Sequence, residues 1–145
     1  MARSSFPVEV LTPEGQVWEG EVEMISTRTA TGSIGVLAHH APLMAMLEPC
    51  ELKLYTSGSE SPDSGQAERF AQGEGYLQVA GEYVLLLVDE VFERDELNPS
   101  DLQERLRKAE EQLSGAEEDS EEQRAAQREK RRYEAFLKIA EGPGS

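Results

Sequence analysis

The chain of 145 residues has 29 acidic and 14 basic residues, a net charge of −15, 38% hydrophobic residues and one cysteine. This length allows one ordinary domain, or a domain of about 100 residues with an appendage. The charge disfavours nucleic acid and anionic lipid as partners, and the lone Cys50 excludes an internal disulfide and favours a reducing compartment.

Two features argue against direct membrane insertion. The opening segment MARSSFPVEV lacks the apolar run of a signal peptide, and the longest apolar run, YVLLLV, is far shorter than the ~20 residues of a spanning helix. We therefore expect any work at a membrane to pass through other proteins.

Residues 6–92 alternate in hydrophobicity as strands do. Val8 and Val10 flank Glu9, and the alternation recurs in EVEM at residues 21–24. Polar and glycine-rich breaks separate these segments without intervening helices, which predicts an antiparallel β-sandwich or barrel. We assign residues 1–97 to this domain, and we predict that the apolar segment 83–91 is its central strand, covered on both faces.

Two of the breaks have a distinctive composition. GEG at residues 73–75 lacks both a following helix and a Lys-Ser/Thr pair, so it does not fit a phosphate-binding loop and predicts a hairpin turn. The run TSGSESPDSG at residues 56–65 is longer than most hairpin loops and predicts a solvated loop tip.

Residues 31–47, TGSIGVLAHHAPLMAML, contain the only two histidines of the chain. His39 and His40 are adjacent, so on a strand they point to opposite faces and do not share a metal. Gly32 and Gly35 permit backbone geometries closed to other residues, and Pro42 fixes a bend. The simplest interpretation is a shaped corner between two strands.

A helical period begins at residue 98. Asn98 is a predicted N-cap, Pro99 suits the first helical position, and Asp101 suits the N-terminal dipole. An apolar stripe follows, and the helix is predicted to break at Gly115. Ser120 and Gln123 resemble a capping box that starts a second helix at residues 121–140, so residues 98–145 predict an antiparallel helical hairpin. The stripe of the first helix consists of Leu102, Leu106, Ala109 and Leu113.

The second helix has few apolar residues and many basic ones. Between residues 117 and 132 only Ala125 and Ala126 are apolar, so we expect the hairpin to be held weakly. A helical projection gives a narrow apolar stripe and an opposite basic face, which is either a solvated face or a docking surface for an acidic partner. The stripe comprises Ala126, Tyr133, Leu137 and Ala140, and the basic face comprises Arg124, Arg128, Arg131 and Lys138.

No constellation in the sequence indicates catalysis, a metal site or a cofactor site. No nucleophile elbow accompanies the histidines, and the carboxylates are too numerous for any acid–base pair to be singled out. An enzyme is therefore the least favoured class, and a free-standing ligand-binding sandwich whose helices cover a sheet edge is one non-catalytic alternative.

Four motifs in order, VLTPEGQVWEGEVEMI, GSIGVLAHHAPLMAML, GEGYLQV and RKAEEQL, closely resemble the epsilon subunits of bacterial F-type ATP synthases, from residue 6 to about residue 141. The resemblance implies a non-catalytic subunit of the rotor's central stalk, peripheral on the cytoplasmic face of the bacterial plasma membrane. Such a subunit couples proton flow to ATP synthesis, and its mobile C-terminal helices inhibit ATP hydrolysis.

The resemblance also implies partners for particular segments. The loop of Ala30, Thr31, Gly32 and Ser33 would face the ring of c subunits. The segment of His40, Ala41, Pro42 and Leu43 would lie at the gamma subunit, although Ala38 and His39 replace the family's usual Pro-Gly. The C-terminal helices, with the basic face, would reach the catalytic alpha and beta subunits.

Some members of that family bind ATP through a motif with Asp second and Arg fifth at the start of the first helix. The matching run here is LNPSDL, with Asn98 and Asp101 in those places. An aspartate in place of the arginine would repel phosphate, so the resemblance predicts no ATP binding of that kind.

Overall fold

The computed structural model describes residues 4–56 and 67–142, and it confirms the predicted β-sandwich followed by two helices. The predicted loop tip at residues 56–65 lies, from residue 57 onward, outside the described residues. The strands are β1 Phe6–Thr12, β2 Gly15–Thr29, β3 Gly32–Leu37, β4 Leu43–Leu47, β5 Cys50–Thr56, β6 Ala67–Gln72, β7 Gly75–Ala80, β8 Tyr83–Val88 and β9 Val91–Glu93; a short 3-10 turn, Arg94–Glu96, leads to helices α1 Pro99–Gly115 and α2 Glu121–Glu141.

The long strand β2 belongs to both layers of the sandwich. Its first half pairs with β1, and its second half pairs with β3 and β5. One layer continues from β1 through β8 and β7 to β4, and the other from β5 through β6 to β9. Among the described strands only β1 and β8 run parallel, with Val8 opposite Val84.

The core lies between the two layers. Alternate residues of each strand point inward, which explains the period of two in the sequence. The cluster is built entirely from strand residues, each at most 3% exposed: Phe6, Val8, Val10, Val22, Ile25, Val36, Leu47, Leu52, Leu54, Phe70, Leu77, Val79, Val84, Leu86 and Val88.

The prediction for segment 83–91 is wrong in two respects. The segment is two strands, because β8 ends at Val88 and β9 begins at Val91 in the other layer. Within β8, buried residues alternate with partly exposed ones, and Leu87 is 41% exposed. β8 is central within its layer, because it is hydrogen-bonded to β1 on one edge and to β7 on the other. Its outer face, however, is partly exposed.

The prediction of a hairpin turn at GEG is also wrong. β6 pairs with β5 and β9, whereas β7 pairs with β4 and β8, so this segment crosses from one layer to the other. The β8–β9 connection crosses back beside it. The two crossovers are joined by hydrogen bonds from Gly73 N to Glu90 O (2.8 Å) and from Asp89 N to Glu74 O (2.9 Å).

Both helices start at the predicted caps. The Asn98 side chain accepts hydrogen bonds from the backbone N–H groups of Ser100 and Asp101, and Pro99 is the first helical residue. The Ser120 side chain accepts from Gln123 N at 3.1 Å. The Gln123 side chain accepts from Asp119 N rather than from Ser120 N, so the capping box is shifted by one residue.

The helices pack against each other and against one side of the sandwich. Phe136 is fully buried, although the predicted stripe omitted it, and its ring meets those of Phe92 and Tyr133 edge-on at 6.1 Å. Among the described residues, the strands contribute Ala71 and Phe92 to this cluster. Its other members belong to the helices and to the linker before them: Leu97, Leu102, Leu106, Tyr133, Phe136, Leu137, Ile139 and Ala140.

Candidate partner-contact sites

The turn between β2 and β3 presents the predicted ring-facing residues. Ala30, Thr31 and Ser33 are exposed, and Gly32 has φ +132°, where a side chain would be strained. The buried Thr29 donates its hydroxyl to Gly32 O at 3.0 Å, and Ala30 N donates to Met46 O at 2.9 Å. The tip is therefore held in one shape on the surface.

The segment with the two histidines forms the connection from β3 to β4. His39 has φ 65°, so it occupies the left-handed region that glycine adopts most readily. Of the two glycines that permit unusual backbone geometry, Gly32 uses it, whereas Gly35 does not have a positive φ. Ala41 and Pro42 are exposed, and Leu43 opens β4.

The two predicted contact segments lie at opposite ends of β4. The β2–β3 turn meets β4 where Thr29 pairs with Leu47, whereas the β3–β4 connection enters at Leu43. A partner of one segment would therefore approach a different end of the sandwich from a partner of the other.

An exposed apolar strip, defined as Met44, Met46, Tyr76 and Leu87, crosses the outer face of one layer. The exposed fractions are 66%, 60%, 51% and 41% in that order. Met46 pairs with Tyr76, and Tyr76 pairs with Leu87, so these three side chains share one row across β4, β7 and β8. Contiguous exposed apolar surface of this kind marks interaction sites.

The four residues of the predicted basic face are all exposed. Three of them, Arg124, Arg128 and Arg131, line one surface pocket, whereas Lys138 lies in a separate cleft. Arg124 and Arg128 pair with Glu121 on their own helix, at 3.1 and 3.6 Å. Arg131 instead reaches the sandwich, where its Nη2 donates to Glu48 Oε2 at 2.8 Å. The basic residues therefore run around the flank of α2 and do not all point away from the sandwich.

Arg131 and Lys138 line a cleft of about 720 Å³ between α2 and the β2–β3 turn. Arg28 and Thr31 line its opposite side. Cys50 also lines this cleft, and burial raises the pKa of its thiol despite the contact with Thr27. The docked hairpin thus lies beside the predicted ring-facing turn.

Arg132 forms the most buried ion cluster of the hairpin joint, and the sequence reasoning did not single it out. Its side chain is 12% exposed. Nε and Nη2 donate to the two carboxylate oxygens of Glu74 at 2.8 and 3.2 Å, and Nη1 donates to Glu90 Oε1 at 3.3 Å. Asp89 lies 3.5 Å away. A paired-arginine signal, RR at residues 131–132, was present but did not show which arginine turns inward.

Glu90 collects further donors from both helices. Tyr133 OH donates to Glu90 Oε1 and Arg105 Nη1 donates to Oε2, both at 3.1 Å. Burial lowers the pKa of Arg132, but the hydrogen bond and charge of Glu74 and the charge of Glu90 outweigh burial, so the pKa is raised. The arginine is therefore charged at any pH at which the protein is folded.

A second arginine fastens the C-terminal end of α2. Arg94 Nη2 donates to the carbonyl oxygens of Ile139 (3.3 Å) and Gly142 (3.2 Å), and its Nε lies 3.1 Å from Glu51 Oε2. The linker thus adds donors at the C-terminal end of α2, where Ile139 O also accepts from Gly142 N at 3.3 Å.

Within residues 4–56 and 67–142, no group of three or more His, Cys, Asp or Glu residues is arranged to hold a metal ion. Among the described helices, none has the length and apolar character needed to cross a membrane.

The chain is similar in sequence to members of one known protein family. Residues 5–94 match the family described as "ATP synthase, Delta/Epsilon chain, beta-sandwich domain". The chain is 33% identical to the ATP synthase epsilon chain of Sulfurihydrogenibium sp. (strain YO3AOP1) and 35% identical to that of Persephonella marina, in each case over 93% of this chain and 96% of the relative.

Solved structures show the same fold. A chain in the Euglena gracilis mitochondrial ATP synthase, in a structure of OSCP, F1 and the c-ring, aligns with a TM-score of 0.71 at 17% identity, covering 94% of this chain and 81% of that one. A chain in the Tetrahymena thermophila mitochondrial ATP synthase central stalk and c-ring aligns with a TM-score of 0.59, also at 17% identity, covering 97% and 99%.

Proposed function

The chain belongs to the ATP synthase epsilon chain family, and from this premise we propose that it is a non-catalytic rotor subunit of a proton-translocating F-type ATP synthase. In this role it sits in the central stalk, couples proton flow through the c ring to ATP synthesis, and restrains ATP hydrolysis with its C-terminal helices. We place it peripherally at the cytoplasmic face of a bacterial plasma membrane.

Membership of this family is the observation that carries the stalk assignment, and the exposed apolar strip offers a contact surface for it. A subunit that transmits torque needs a stable seat, and the strip supplies apolar area next to His40, Ala41, Pro42 and Leu43. We propose that the gamma subunit covers both. The turn of residues 30–33, at the other end of β4, is then left to meet the c ring.

The joint between hairpin and sandwich supports the inhibitory role. Residues 98–145 form our proposed second domain, and the sandwich offers it only two strand residues in an apolar cluster. A two-state element requires a gap of only a few kcal/mol between its states. We propose that the hairpin leaves the sandwich and reaches the alpha and beta subunits with Arg124, Arg128, Arg131 and Lys138.

We propose no ATP binding at the start of α1. The Asn98 side-chain oxygen is engaged as the N-cap, and Asp101 places a negative charge where a phosphate-binding motif would need a positive one.

Binding to gamma tests the stalk assignment. We expect the chain to co-elute with an isolated gamma subunit in size-exclusion chromatography. The double variant Met44→Asp/Met46→Asp should weaken this association by about a hundredfold or more, because it places two charges in a buried apolar contact. The control Gln103→Asp adds a charge at an exposed position of α1 and should bind normally.

Failure of the parent chain to associate with gamma would contradict the proposal and favour the free-standing ligand-binding sandwich. Equal binding by the strip variant and the control would retain the stalk role but remove the strip as the seat.

A further inference from the structure

The joint between α2 and the sandwich contains one largely enclosed arginine, Arg132, whose side chain is 12% exposed. We propose that Arg132 is an electrostatic latch whose engagement with Glu74 and Glu90 sets the equilibrium between the docked and the released hairpin. This inference deepens the proposed function, because it rests on the hairpin being a two-state element.

The seat of Arg132 is formed by the two crossovers between the layers. Glu74 belongs to one crossover and Glu90 to the other, and the two backbone hydrogen bonds between the crossovers hold the carboxylates side by side. The guanidinium binds Glu74 with a two-point fork and Glu90 with a third nitrogen. Such a planar fork is a specific match for carboxylates.

Gly73 shapes the seat. A Cβ atom at this position would lie 3.2 Å from Arg132 Nε and 3.2 Å from Glu90 O, tighter than ordinary contacts. The backbone thus approaches the guanidinium as closely as a residue without a side chain allows. A side chain at this position would therefore crowd both the guanidinium and the backbone of the second crossover.

Charge dominates this joint because the apolar contact is small. The strands contribute Ala71 and Phe92 to the cluster, whereas the ion cluster brings together Arg132, Glu74 and Glu90. Removing one partner of a buried ion pair leaves an uncompensated charge, which costs far more than the loss of an exposed pair. Release of the hairpin leaves the carboxylates of both crossovers close together without their counter-ion.

Arg131 also joins α2 to the sandwich by a side-chain ion pair, but it is a weaker candidate for the latch. Arg131 contacts Glu48, but its side chain is 65% exposed, so water and salt screen the pair. Arg94 lies in the linker before the hairpin and donates to backbone carbonyls at the C-terminal end of α2. It therefore caps the end of the helix through groups that every residue carries.

Distance measurement on the isolated full-length chain tests the latch. Spin labels at Arg28→Cys and Glu134→Cys, in a Cys50→Ser background, flank the same cleft and lie close together when the hairpin is docked. We expect dipolar spectroscopy to show a short distance in the parent. Arg132→Gln should raise the ratio of released to docked chains by about tenfold or more.

Two further variants separate charge from packing. Arg128→Gln is the matched control, because its pair is with Glu121 on the same helix, and it should leave the distance distribution unchanged. Adding Glu74→Gln and Glu90→Gln to Arg132→Gln should recover part of the docking, because no unpaired carboxylate remains, but not all of it, because the ion cluster itself is lost. Equal helicity by circular dichroism shows that release is not unfolding.

Three outcomes would overturn the latch: unchanged docking in Arg132→Gln, an equal effect of Arg128→Gln, or no recovery on removal of the carboxylates. None of these affects association with gamma, so they leave the stalk assignment intact. If Arg132→Gln unfolds the hairpin, Arg132→Lys replaces it, and a release no greater than that of Arg128→Gln would also overturn the proposal, since lysine lacks the fork.

Discussion

At the scale of the residue, Gly73 and Gly75 allow close backbone approaches at the crossover between the two layers. At Gly75 a Cβ atom would lie 1.9 Å from Leu87 O and 2.7 Å from Val88 Cα, so only glycine fits between the two paired strands. Gly73 two residues earlier lets Arg132 approach. The two glycines of GEG thus have different roles: Gly75 fits against β8, and Gly73 leaves room for Arg132.

We predict that Gly75→Ala lowers the free energy of unfolding by about 1–3 kcal/mol, because the added methyl group collides with backbone that cannot move away. Thermal unfolding monitored by circular dichroism measures the change. Gly35→Ala is the control: its Cβ would meet only Ile25 O, at 3.9 Å, so its melting temperature should change little. Equal melting temperatures for the two variants would refute the argument.

At the scale of the element, α2 divides its arginines between three tasks. Arg124 and Arg128 pair within the helix, Arg131 meets Glu48 at the surface, and Arg132 is enclosed by the crossovers. Spacing of 3.6 residues per turn explains the division, because adjacent residues point about 100° apart. Neighbours in sequence such as Arg131 and Arg132 therefore have different environments.

We predict that Arg124→Ala/Arg128→Ala/Arg131→Ala reduces inhibition of ATP hydrolysis in the assembled ATP synthase severalfold, because these side chains are exposed in the docked hairpin and available to an acidic partner after release. Loss of the Arg131–Glu48 pair would favour release and so would act in the opposite direction. The hydrolysis rate is the readout.

The control for that measurement is Arg107→Ala on α1, which removes an exposed arginine paired with Glu104 and Glu111 of its own helix. It should inhibit like the parent. Full inhibition by the triple variant would remove the basic face from the mechanism.

At the scale of the whole molecule, the chain has two cores of unequal independence. The larger core is made of strand residues only, whereas the smaller one is completed by helices and linker. The net charge follows the same division, with 17 acidic and 5 basic residues up to residue 99 and 12 and 9 after it. Arginines of the hairpin form ion pairs with glutamates of the acidic sandwich.

We predict that deletion of residues 100–145 leaves a sandwich that folds and binds gamma, because no residue of the larger core is removed. Its unfolding should remain cooperative, with modest destabilisation from uncovering Ala71 and Phe92. Circular dichroism and co-elution with gamma measure these properties. An unfolded product would show that the hairpin is part of a single domain.

The sequence by itself determined the local features: the alternating strands, the caps at Asn98 and Ser120 and the two helices. These depend on neighbours in the chain, whose spacing is fixed by backbone geometry. Only the tertiary structure decided that GEG is a crossover, that β8 has an exposed face, that His39 takes a left-handed conformation and that Arg132 is enclosed by Glu74 and Glu90. Each of these features depends on contacts between segments that are far apart in the chain. Local residue patterns do not show which of these segments become neighbours when the two layers stack.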